Sequence, residues 1–275
     1  MKFNSIFKTM FYGLCLGISL LPPGFSAATM AMILGIYEDL IGLLNDLFST
    51  KMKQTVKVLI FLLLGAVAAI AVFSKIISTG MDKFPYQTRF LFLGLIVATV
   101  PLIYKQAEVK VNFTLKHCIF LIIAFLIAAS FAFGGSFALV DLDGDMSALK
   151  VLYLMFAGAL VSSSMILPGL SGALMLILIG AYQYLLESVN TFDVIVLSCV
   201  GIGAVIGLII CGRLIKRLLE RGVTTLYAIS LGLVIGSIPV VLSEGVPTGV
   251  FDILAALIFS VIGVVIVMLL NAKRI

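Results

Sequence analysis

The 275 residues are 62% hydrophobic and only 11% charged, with no tryptophan and a mean hydropathy of +1.27. No soluble domain of this size needs so much apolar sequence, and several runs approach the ~20 residues that span a bilayer. The chain therefore reads as an all-α polytopic membrane protein. A formal net charge of +5 would suit a polyanion, but the basic residues fall in short loops. That is the positive-inside pattern, so nucleic acid is excluded as a partner.

Ten apolar elements follow in order, five in each half. The first half, 1–140, has 6–21, 26–48, 56–73, 90–104 and 113–133; the second, 141–275, has 149–166, 171–188, 194–211, 225–242 and 251–270. Lys2 and Lys8, an apolar run and then Phe25-Ser26-Ala27-Ala28 have the cast of a signal peptide. An internal echo argues for retention. LPPGFSAATMAMILGIYE, ending at Glu38, returns as LPGLSGALMLILIGAYQ, ending at Gln183. Pro23-Gly24-Phe25-Ser26 falls on Pro168-Gly169-Leu170-Ser171, Gly35 on Gly180 and Tyr37 on Tyr182, without a gap. Cleavage would destroy a motif that the second half keeps.

The repeat runs on. Gly65-Ala66-Val67 matches Gly203-Ala204-Val205, Lys75 matches Arg213, Leu93-Gly94-Leu95 matches Leu231-Gly232-Leu233, and Pro101 matches Pro239. Blocks in one order argue for duplication. Loop charge sets the sidedness: Lys2, Lys8, Lys51, Lys53, Lys57, Lys105, Lys110, Lys116, 213–221 and Lys273-Arg274 lie inside, while Asp141, Asp143, Asp145, Glu187, Asp193, Glu244 and Asp252 lie outside. Both termini are then cytoplasmic. Each half becomes a Pro-Gly-tipped hairpin plus three crossings, an odd number, so the halves are inverted repeats. From Ser26 to Tyr37 is about 18 Å of helix, and length alone leaves re-entrant and fully spanning hairpins both open. The segment with Lys75, Lys83 and Arg89 is net positive on the expected outer side and breaks the charge rule.

Proline removes a backbone donor and clashes with the preceding turn, so each copy must break a helix within apolar sequence. Such a break at membrane depth survives only inside protein or beside a water-filled cavity. Paired breaks in two halves mark the binding site of a transporter. Bare N–H groups at Gly24, Gly169 and Gly172, with hydroxyls from Ser26, Thr29 and Ser171, suit a phosphate or carboxylate. Lys75 and Arg213 are candidate guiding cations, and Glu38 is a candidate proton site. The competing readings are packed kinks for the Pro-Gly pairs and a solvated helix end for Glu38. Gly13/Gly17, Gly203/Gly207 and Gly232/Gly236 read as close helix contacts. Cys15, Cys118, Cys199 and Cys211 form no CxxC pair and read as small buried residues, and His117 as an interfacial one. No catalytic residue, metal or cofactor is expected.

With their GIYE and GAYQ endings, the two motifs resemble those of the bacterial polyprenyl-phosphate transporter family, long a domain of unknown function. Typical members carry PGVSGGT with LGIYE, then LPGISGS with LLGMYE; here these read PGFSAAT with LGIYE, and LPGLSGA with LIGAYQ. GRLIKRLLE at 212–220 and the LGLxxGSxP run ending at Pro239 extend the likeness over nearly the whole chain. The resemblance implies return of undecaprenyl phosphate across the bacterial cytoplasmic membrane for cell-wall synthesis. Ala27 and Ala28 stand where the family has glycines, and Gln183 where it has a carboxylate. The second tip is therefore the better anion cradle, and Glu38 the better proton carrier. The alternatives are a carrier for a small soluble anion and an intramembrane lipid phosphatase; for the latter, neither tip motif has a nearby histidine or acid cluster.

Overall fold

The computed structural model describes residues 3, 5–21, 25–47, 50, 52–108, 113–133, 140, 142, 146–243 and 245–272. The helices are α1 Ile6–Ser19, α2 Ala27–Leu34, α3 Tyr37–Asp46, α4 Met52–Lys83, α5 Pro85–Glu108 and α6 Leu115–Ser130, which ends in a 3₁₀ turn. The second half supplies α7 Ala148–Ile166, α8 Gly172–Leu178, α9 Tyr182–Asn190, α10 Val194–Arg221, α11 Val223–Ser243 and α12 Val250–Ala272. Seven of these (α4 to α7 and α10 to α12) are long and apolar enough to cross a membrane. Leu63, Leu126 and Leu257 are exposed on α4, α6 and α12, a face that only lipid can cover favourably. In α11 the most apolar window is 67% buried, against 17% in α4, α6 and α12. Helix α11 is thus the one the others surround.

Small residues decide which helices meet. A Cβ on Gly13 of α1 would lie 2.1 Å from the Leu62 carbonyl oxygen of α4, and one on Gly158 of α7 would lie 2.0 Å from that of Val200 in α10. The second set of seams crosses between halves. Gly94 of α5 faces Ser260 of α12, and Gly232 of α11 faces Leu121 of α6, at 2.1 and 2.2 Å from the carbonyl oxygens. All three GxxxG pairs lie in such seams, where bare backbone allows the close approach that replaces the hydrophobic effect within lipid. Each half therefore lends its fifth apolar element to the other.

Two expectations are corrected. Residues 26–48 and 171–188 are not single helices: Gly35, with φ +67°, and Gly180, with φ +74°, end α2 and α8 in the left-handed conformation. The chain then bends by 117° and 119° into α3 and α9. Glycine enters this region without the Cβ penalty, so the break sits inside LGIY and IGAY rather than only at Pro-Gly. Lys75 and Arg213 lie within α4 and α10, not in loops, because both helices continue past their apolar runs on charged residues. At the start of α6 the His117 Nδ1 accepts the Thr114 N–H at 3.1 Å. That closes one of the bare donors of the helix end.

Candidate functional site

The two tips meet. Ser26 is the N-cap of α2, and its Oγ accepts the Thr29 N–H at 3.2 Å, the ordinary use of a serine before a helix. The Ser26 and Thr29 hydroxyls are also bonded to one another at 2.9 Å. From the other half, the Gly169 N–H donates to both, at 3.2 Å to Ser26 Oγ and 2.9 Å to Thr29 Oγ1. Ser26 and Thr29 are 3% and 1% exposed, so this cluster is uncharged, polar and out of water. The expectation of a bare amide at Gly169 is thereby corrected, since a buried N–H without a partner would be costly. Gly24 lies outside the described residues.

Gly169 is held there by backbone. Its φ is +82°, and a Cβ would sit 2.6 Å from Leu233 C and Val234 N of α11. No other residue type fits. Ser171 occupies the N-cap position of α8, but its hydroxyl caps nothing, which corrects the expected symmetry with Ser26. Gly172 opens the same helix, and the space behind this tip is about 10 Å³, bordered by Ser171, Ser237 and Phe131. That holds about one water.

Other site residues stand apart. Glu38 is exposed in the first turn of α3, where a carboxylate suits the helix dipole, and accepts a hydrogen bond from Tyr227 Oη of α11 at 3.4 Å. It begins a helix rather than ending one. Lys75 is exposed on α4. Arg213 borders a cavity of about 40 Å³ with Leu44, Asn45, Leu208, Ile209 and Gly212. Asn45 Nδ2 ties α3 to α10 there by donating to the Ile41 and Gly212 carbonyls, at 2.7 and 3.4 Å.

Sequence reasoning missed Tyr37 and Asn45. The Tyr37 hydroxyl donates to the Ile166 carbonyl at 3.1 Å, satisfying the end of α7 just before the second Pro-Gly. Its recurrence as Tyr182 was visible, but the partner was not. The cluster can hold an anion only by turning its hydrogen bonds from one tip to the ligand, since no charge lies within it.

A family model described as undecaprenyl phosphate translocase-like matches residues 16–248, which include both tips, Glu38, Lys75 and Arg213. The chain belongs to this family. It is 30% identical over 262 residues, 92% of each chain, to a protein of Staphylococcus aureus named polyprenyl-phosphate transporter. A Vibrio cholerae protein of the same name is 30% identical over 251 residues, covering 86% of this chain and 78% of that one. No solved structure matches the chain.

Proposed function

We propose that this family member transports polyprenyl phosphate, undecaprenyl phosphate in particular, and returns the carrier lipid across the bacterial cytoplasmic membrane for cell-wall synthesis. The observation that carries the reading is the buried contact of the two tips, in which the Gly169 amide donates to the Ser26 and Thr29 hydroxyls. Moving an unsheltered phosphate through hydrocarbon costs on the order of 20 kcal/mol by the idealised Born estimate. A polyprenyl tail stays in lipid throughout, so the protein needs only to shelter the head group. When the tips part, the Gly169 N–H and the two hydroxyls turn to the phosphate; when they close on each other, no leak remains. Ser171 and Gly172 face the anion at the second tip. Arg213 and Lys75 guide it at the two membrane surfaces.

Alternating access follows from inverted repeats, with re-entrant hairpins and both termini in the cytoplasm. The like bends of 117° and 119° and the like seams at Gly13 and Gly158 support that arrangement. The protein is a carrier rather than a phosphatase. Moving about two negative charges into a cell about 100 mV negative costs roughly 4.6 kcal/mol. A proton carried on Glu38, beside Tyr227, offsets part of it.

Reconstituted vesicles with labelled polyprenyl phosphate and an imposed pH gradient test both statements. Inward transfer of the lipid, unaffected by excess inorganic phosphate, is expected. Transfer of inorganic phosphate without the lipid would favour a small-anion carrier instead. Glu38→Gln should remove the response to the gradient; a wild-type protein indifferent to it would leave Glu38 without a coupling role.

A further inference from the structure

Between the first tip and Arg213 lies a second, larger space. Its volume is about 190 Å³, and its walls are almost wholly apolar, with Ala27, Ala28, Leu40, Leu59 and Ile166 among them. Met165, which lines it, is 42% exposed on α7, so the space has an open side there. It borders the Arg213 cavity, since Leu44 of α3 and Leu208 of α10 line both. One end of this combined space therefore presents a guanidinium with the Asn45 amide close by. The other end is hydrocarbon-lined and open beside Met165.

We infer that this space is a docking station, separate from the tip contact, for the phosphate-proximal segment of an anionic single-chain lipid. The head group lies at Arg213 and the first tail unit enters the apolar cavity between Leu44 and Leu208. The argument rests on complementarity. A soluble anion would gain nothing from the apolar compartment, and a neutral lipid would gain nothing from the cation, whereas an amphiphile satisfies both at once. The volume is apt: an apolar protein cavity of roughly 150 Å³ takes a six-carbon ring, so 190 Å³ admits about one five-carbon isoprenoid unit. The rest of the tail leaves past Met165 into lipid. The inference rests on the transport reading for the identity of the lipid, but makes its own claim about where the tail lies.

Binding of geranyl phosphate and of inorganic phosphate to the full-length protein in nanodiscs, measured by titration calorimetry, tests it. Geranyl phosphate should bind at least tenfold more tightly, because tail carbons leave water. Leu59→Trp, which fills the cavity from α4, should bring the two ligands to within about twofold of each other. Leu40→Trp fills it from α3 and should do the same, so a failure of one variant to fold does not decide the matter. Arg213→Gln should weaken both ligands alike. Equal binding of the two ligands to wild type, or a tail preference unchanged in both folded tryptophan variants, overturns the inference. Vesicle transport by the same wild-type preparation separates the two readings. Transport with tail-independent binding sinks the station alone; Leu59-sensitive tail binding without transport sinks the transporter.

Discussion

The first tip contributes acceptors and the second contributes a donor, although the two motifs align without a gap. At the first, Ser26 and Thr29 present hydroxyls and use one of them to cap α2. At the second, Leu174 stands where the first has Thr29, Ser171 caps nothing, and the polar contact comes from the Gly169 backbone. Both segments bend by nearly the same angle after their short helices. Geometry has been kept while chemistry has been divided. Where two like tips face each other, donors are best met by acceptors, and two identical tips would leave like groups opposed.

Substitutions within the second tip should break this comparison most severely. Gly169→Ala forces a side chain into the left-handed region, which costs about 1–2 kcal/mol, and into α11 backbone, which adds about 1–3 kcal/mol of overpacking. Gly172→Ala, three residues on, meets the side-chain atoms Val161 Cγ1 at 3.0 Å and Ser164 Oγ at 3.4 Å, with no backbone atom nearer than 3.6 Å, and should stay within about 1 kcal/mol of wild type. Thermal unfolding in detergent measures both. Similar melting temperatures would mean that Gly169 is not pinned against α11.

A smaller effect separates the hydroxyls. Thr29→Val removes the nearer acceptor of a buried N–H and should lower stability by about 1–2 kcal/mol. Ser171→Ala removes no hydrogen bond and should change stability by less than about 0.5 kcal/mol, while reducing lipid transport several-fold. A Ser171→Ala protein with wild-type transport would confine the working hydroxyls to the first tip.

The smallest contrast is expected among the cations. Arg213 offers a planar fork and Lys75 a point charge. Transport should fall about two- to fivefold in Arg213→Gln, less in Lys75→Gln, and hardly at all in Arg217→Gln, which carries similar charge one helical turn on. Equal losses in all three would reduce these residues to general surface charge.

Much of the fold was legible because it follows from local and one-dimensional rules. Apolar runs of bilayer length mark the crossings, and GxxxG pairs mark seams where only backbone fits. A proline-glycine pair repeated in apolar sequence marks the two tips. The second break escaped notice, since Gly35 and Gly180 sit in stretches whose composition is helical throughout, and a single glycine within a helix is ordinary. Only its left-handed φ distinguishes it. Likewise, the charged ends of α4 and α10 read as loops if charge marks the membrane edge, yet both helices continue past their apolar runs.

By itself the sequence determined the membrane class, the positions of both tips and the internal repeat, because hydropathy, proline chemistry and spacing act along the chain. The tertiary structure alone decided which groups face one another. It placed Gly169 on Ser26 and Thr29, Tyr37 on Ile166, Tyr227 on Glu38, and Arg213 beside an apolar cavity. Those pairings join residues up to 189 positions apart. They are set by the exchange of α6 and α12 between the halves, and no local pattern encodes which partner a buried hydrogen-bonding group will find.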